Sequence, residues 1–225
     1  MGSENSTVID HLQRNPHYYL SGGDAYFLVE NQIFRVHRYF LERESHVFQE
    51  WFQGPQAPGA FRNGESRNGE SESAAILLRD VTPAAFEKLL DVFYNPKYSV
   101  YGWPIEDWIT IIQVAQKWEF SQVLELALRE LEKIEIPLIS RIALYQRFDI
   151  DRSHLLPLYG KLCTRPKALD YQESNAIGLA TTVVIFNARE RLRARPLKDG
   201  KSLLPAEFQD SEVYMVLTDL LVTSG

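Results

Sequence analysis

After Val36 the spacing of apolar residues changes from two to between three and four, and with two short exceptions it does not change back. Before that point, Tyr26-Phe27-Leu28-Val29 and Ile33-Phe34-Arg35-Val36 are aromatic and β-branched runs flanking Glu30-Asn31-Gln32, where Asn31 tolerates turn geometry. They predict a β-hairpin, and Gly22-Gly23 predict the bend that leads into it. A chain with few strands and many helical runs is α+β. It lacks the strand-helix alternation of a doubly wound parallel sheet.

The helical spacing divides into segments. A helix is predicted from His37, with Val36, Phe40 and Leu41 on one face. A second carries Val47, Phe48, Trp51 and Phe52, with Ser45 between the two as its N-cap. Ile76-Leu77-Leu78 is the first exception, a strand. Thr82 and Pro83 then open a helix whose apolar face is Phe86, Leu89, Leu90 and Phe93, and which stops at Asn95 before Pro96. Lys97 to Trp103 is predicted to hold a short strand. Pro104, Glu106 and Asp107 form the first turn ahead of the stripe Trp108, Ile111, Ile112, Ala115 and Trp118. Ser121 is expected to cap the helix of Leu124, Ala127, Leu128 and Leu131, and Pro137 to start one reaching about Arg147. Further on, Leu155 to Cys163 reads as a helix with Pro157 in its first turn. Asp170 and Glu173 have capping-box spacing and predict a long helix to about Ala194. Asp199-Gly200 marks a turn before a last stripe of Val213, Val216, Leu217, Leu220 and Leu221.

Two stretches carry no such pattern. Residues 1–17 predict a flexible start. Residues 53–73 are dominated by Gly, Pro, Asn, Ser and charge, and Arg-Asn-Gly-Glu-Ser occurs twice in tandem, at 62–66 and 67–71. This reads as a disordered surface insertion, because a packed core cannot be built from it and loops lengthen cheaply. The expected organisation is a mixed domain over 18–135 and a helical extension over 136–225.

Charge and chemistry narrow the function. A net charge of −6 argues against a nucleic-acid footprint. The single cysteine, Cys163, excludes an internal disulfide and reads as a buried, inert thiol. The apolar runs fall far short of the ~20 residues that span a bilayer. Residues 1–20 are polar and broken by Pro16, unlike a secretory leader, so a cytoplasmic or nuclear location is expected. None of His11, His17, His37, His46 and His154 has metal-ligand spacing, and Gly22-Gly23 lacks that of a phosphate loop. Asp80, Glu106 and Asp107 are accounted for by helix starts. No enzyme activity, metal or cofactor is expected. Arg189, Arg191, Arg193 and Arg195, with Lys198 and Lys201, form one basic cluster, read first as complementing the carbonyls at a helix C-terminus, with a nuclear-targeting or acidic-partner patch as the alternative. Tyr94, Tyr98, Tyr101 and Trp103 put four aromatics into ten residues; some of them must pack under the last helices, and the excess leaves a partner groove or self-association surface as the alternative.

Residues 24–52, DAYFLVENQIFRVHRYFLERESHVFQEWF, together with 76–94, ILLRDVTPAAFEKLLDVFY, resemble the BTB/POZ domain in the order of their blocks. Ala115-Gln116-Lys117-Trp118 and Leu124 to Leu131 are similar to its last two helices. The run from Phe93 to Ser99 and the helical tail resemble the fungal branch of that family. The resemblance implies a protein-interaction module that self-associates or scaffolds partners, with a homodimer expected. Its partner contacts are sought first at Tyr39, Phe40 and Phe48, and then at Tyr94, Tyr98, Tyr101 and Trp103. His37 and Phe86 are expected to be structural. The resemblance also allows an adaptor of a cullin-type ubiquitin ligase. Against this, such members usually carry a hydrophobic-x-Glu element where this chain reads NPKYSVYGW, without Glu. A transcriptional co-regulator is a third possibility. No Kelch, zinc-finger or MATH module follows, the 53–73 insertion lengthens a usually short connection, and the short polar stretch before the hairpin argues against the extra N-terminal strand that some members exchange in dimers.

Overall fold

The hairpin forms where the alternation places it. β2 (Ala25–Val29) and β3 (Gln32–Val36) pair antiparallel with Phe27 opposite Phe34. The left-handed turn residue is Glu30, at φ 53°, and not Asn31. The structure is a computed structural model that describes residues 12–53, 69–97, 101–193 and 209–223. It divides into two compact units, Met1–Ile134 and Glu135–Gly225.

In the first unit β4 (Ile76–Leu78) adds parallel to β2, as its apolar run requires. The expected flexible start is corrected from residue 13 onward. β1 (Gln13–Tyr19) pairs parallel with β3, which completes the sheet order β1-β3-β2-β4. Periodicity missed this strand because only Asn15 and Tyr18 are buried in it and Pro16 interrupts it. The insertion is corrected at its end in the same way. Gly69 accepts the Tyr26 N–H and donates to Ala74, and Glu72–Ala74 form a 3-10 turn. The rest of that segment, 54–68, lies outside the described residues.

Five helices cover one face of this sheet. They are α1 (Arg38–Glu44), α2 (His46–Gln53), α3 (Pro83–Phe93), α4 (Ile105–Lys117) and α5 (Ser121–Glu132). The Thr82 hydroxyl caps α3 by accepting the Ala85 N–H. Ser45, fully buried, caps α2 by accepting the Phe48 N–H and donates 2.5 Å to the Trp118 carbonyl, so one hydroxyl ties α2 to the end of α4. Ser121 is the first helical residue of α5, and Phe120 stands at the cap. Burial decides this: Phe120 is fully buried and donates its N–H to Ala115, after a left-handed Glu119 at φ 55°. Tyr101 to Trp103 form no strand. The core is a chain of edge-on rings, Phe34–Phe86–Phe27–Phe48–Trp118, each step between 5.0 and 5.7 Å.

The second unit is helical throughout its described residues: α6 (Leu138–Arg147), α7 (Arg152–Thr164), α8 (Tyr171–Ile177), α9 (Leu179–Arg193) and α10 (Asp210–Thr223). The Asp170–Glu173 capping box is present at the start of α8. Two expectations change. Pro157 is not in the first turn of α7, because Asp151 accepts the Ser153 N–H and starts the helix at Arg152. The single long helix is two, split at Gly178, whose φ of 82° and ψ of 159° only glycine adopts readily. The expected turn at Asp199-Gly200 lies outside the described residues.

Candidate partner-binding surface

The aromatic residues singled out in the sequence separate into three groups. Phe48 is core and not a surface contact: it is fully buried against Phe27, Trp118 and Phe120. Its spacing on α2 marked one face of a helix, and spacing alone cannot say whether that face meets a core or a partner. Phe86, with no exposed surface, is likewise core, wedged among Phe27, Phe34 and Trp118.

The stripe from Tyr94 to Trp103 is divided. Tyr101 and Trp103 pack on each other at 4.8 Å and on the buried Trp108 at 5.3 and 4.9 Å. The Lys88 ammonium lies 5.3 Å from the Trp103 ring and 2.8 Å from Asp107. These rings roof the start of α4 and remain half-buried. Tyr98 lies outside the described residues.

Tyr94 joins the third group, at the junction of α1 and α3. Tyr39 on α1 is 61% exposed. Phe40 beside it is half-buried, stacked on Phe93 at 6.0 Å and 16° and perpendicular to Tyr94 at 5.2 Å. The Arg43 guanidinium sits 5.4 and 5.6 Å from the Tyr39 and Phe40 rings and pairs with Glu44. The Tyr94 hydroxyl accepts the His37 N–H at 2.9 Å and lies 3.0 Å from its Nδ1, and burial raises the phenol pKa. His37 therefore fixes the start of α1 against the end of α3. The result is a surface of aromatic rings with the Arg43 cation at its edge and the Tyr94 hydroxyl turned to His37. Phe93 belongs to it, although its spacing had marked it only as core. Nearby, Tyr18 of β1 packs its ring on Tyr94 at 5.7 Å.

An open groove of about 890 Å³ runs between the end of β4 and α4, over Leu77, Leu78, Val81, Ala85 and Val114. Three of its polar side chains serve the fold: the Thr82 hydroxyl caps α3, Thr110 donates to the Glu106 carbonyl, and Lys117 binds the Arg79 and Asp80 carbonyls. Among the described residues, no group of three or more His, Cys, Asp or Glu side chains is placed to hold a metal ion, and no helix is long and apolar enough to cross a membrane.

In the second unit burial pushes the Cys163 thiol up to about 12, and the nearby Arg189 charge offsets this only in part. In its described part the basic cluster is divided, with Arg189 buried, Arg193 half-buried and Arg191 exposed. Arg189 is 3% exposed and donates to the carbonyls of Leu162, Cys163, Arg165 and Pro166 at 2.6–3.2 Å, closing the end of α7 rather than of its own helix. Arg191 pairs with Asp219 on α10 at 2.7 Å. Arg195, Lys198 and Lys201 lie outside the described residues.

A small sheet with a helical cluster on one face, built on Val36-His37, Ser45 and the Phe86 helix, is the arrangement the resemblance implied. A family model for the BTB/POZ domain matches residues 18–135, just over half of the chain. The chain belongs to the BTB/POZ family. Its first unit is thus a protein-interaction domain. No curated protein matches the chain.

Proposed function

We propose that this BTB/POZ domain works without catalysis, by self-association through the aromatic surface of Tyr39, Phe40, Phe93 and Tyr94. The supporting observation is Tyr39, a large ring 61% exposed beside a half-buried stack that continues to the interior. An exposed aromatic on a rigid, packed base is the usual form of an interface anchor, because its burial gains area at small cost in side-chain entropy. The basic rim supplied by Arg43 supports contact with an acidic edge, and the BTB unit has nineteen acidic residues against twelve basic ones.

A homodimer through this face is isologous and buries about 1,200–2,000 Å² in total. Light scattering on the full chain is expected to show a dimer whose dissociation constant rises at least tenfold in Tyr39→Ala, an ordinary effect for an anchor. A monomer at high concentration overturns the proposal. Co-purification of a cullin from cell extract, lost in the same variant, would assign the face to the ligase adaptor reading instead.

A further inference from the structure

β1 is attached to the domain differently from the other strands. Each of β2, β3 and β4 buries two or more apolar side chains, whereas β1 exposes Gln13, Arg14, Pro16 and His17 and buries only Asn15 and Tyr18. Its ladder to β3 is interrupted: Gln13 and Arg14 stand opposite Gln32 and Ile33, and pairing resumes only at Tyr19 with Arg35. The segment matched by the family model begins at Tyr18, so most of β1 precedes it.

Side chains hold what the ladder does not. The Asn15 amide donates to Gln32 Oε1 at 2.7 Å and to Glu87 Oε1 on α3 at 2.5 Å. Its Oδ1 accepts the N–H groups of His17 and Tyr18, which the interrupted ladder leaves over. The Tyr18 hydroxyl donates to Asp91 Oδ1, one turn along α3 from Glu87, and Arg14 is gripped by both carboxylate oxygens of Glu72. Polar latches of this kind fasten a strand in one place and let go together, because each needs the others' geometry. The Tyr18 ring meanwhile covers one side of Tyr94.

We propose that β1 is a releasable strap, latched through Asn15 and Tyr18 to the Glu87 and Asp91 carboxylates of α3, whose opening uncovers the outer edge of β3 and the Tyr94 side of the partner surface. The role in partner binding rests on the reading of that surface given above. The strap itself does not, and it is tested alone.

Hydrogen exchange on the full chain, resolved by residue, makes the test. The amides of Gln13, His17, Tyr18 and Leu20 are expected to exchange at least a hundredfold faster than the β2–β3 ladder, through local opening. Asn15→Asp keeps the acceptor for His17 and Tyr18 but sets a carboxylate against Glu87. It is expected to speed the β1 amides at least tenfold further and leave the β2–β3 amides unchanged. Equal protection of β1 and the ladder overturns the strap. An Asn15→Asp variant that leaves β1 unchanged, or that loosens β2–β3 equally, overturns the latch. Light scattering on the same samples shows separately whether self-association strengthens as the strap opens.

Discussion

The two units solve the same problem with different chemistry. The BTB unit buries rings: Phe27, Phe34, Phe48, Phe86, Phe120, Trp108 and Trp118 are all 2% exposed or less. Among its described residues the helical unit buries fewer and smaller apolar groups, and long polar side chains tie its helices together, with buried Arg189 plugging the end of α7 and half-buried Gln146 bridging the Tyr159 and Thr181 hydroxyls. Rings give area without demanding partners, so a small sheet with short helices becomes stable enough to present a surface. Helices joined at breaks such as Gly178 expose carbonyls, and these must be answered one by one. The lesson is that tolerance to substitution should follow volume in the first unit and hydrogen-bond satisfaction in the second.

The largest effect expected of that contrast is at Phe86. Phe86→Ala removes the ring between Phe27, Phe34 and Trp118 and should cost about 3–5 kcal/mol, read as an earlier unfolding transition in urea. A cost below about 1 kcal/mol would mean that the ring cluster does not carry the BTB core. Next is Arg189→Met, which keeps much of the stem volume and removes the donors. Four carbonyls then lose their cation, and a loss of about 2–3 kcal/mol is expected, with Cys163 alkylated faster as the end of α7 loosens. If Arg189→Met is neutral while Phe86→Ala is not, satisfaction does not govern the helical unit and the contrast fails.

The smallest effect concerns acid. The Arg165 guanidinium, with help from the Asp170 N–H, holds the Glu173 carboxyl below its usual range, and the Glu173 N–H with Lys167 does the same for Asp170. Depressed carboxyl pKa values stabilise the fold above the unfolded-state values near 4 and lose that contribution as pH falls through the folded ones. The helical unit should therefore show a modest fall in melting temperature between about pH 5 and 3, flattened in Asp170→Ala. An unchanged acid profile in that variant would detach the capping box from stability. These carboxylates are near the surface, so added salt should shrink the effect.

Much of this was legible without coordinates. The hairpin, the Thr82-Pro83 start of α3, the stripe Trp108 to Trp118 and the Asp170–Glu173 box follow from local rules, because period, caps and proline act within one or two turns. The misreadings share a cause. β1 was invisible because a strand latched by Asn15 and Tyr18 has no apolar alternation to detect. Phe48 was placed on a surface, and Arg189 at its own helix end, because a one-dimensional pattern identifies a face or a charge but not what lies opposite.

The amino-acid order by itself settled the α+β class, the extent of most helices and the BTB/POZ resemblance, since each depends on residues within a few positions of one another. Only the tertiary structure decided which aromatics stay outside, where Tyr39 and Phe40 separate from Phe48, and which side chains fasten β1. Those outcomes depend on contacts between residues from 24 to more than 70 positions apart, as from Arg189 to Arg165 or Asn15 to Glu87, and no local rule counts partners over that distance.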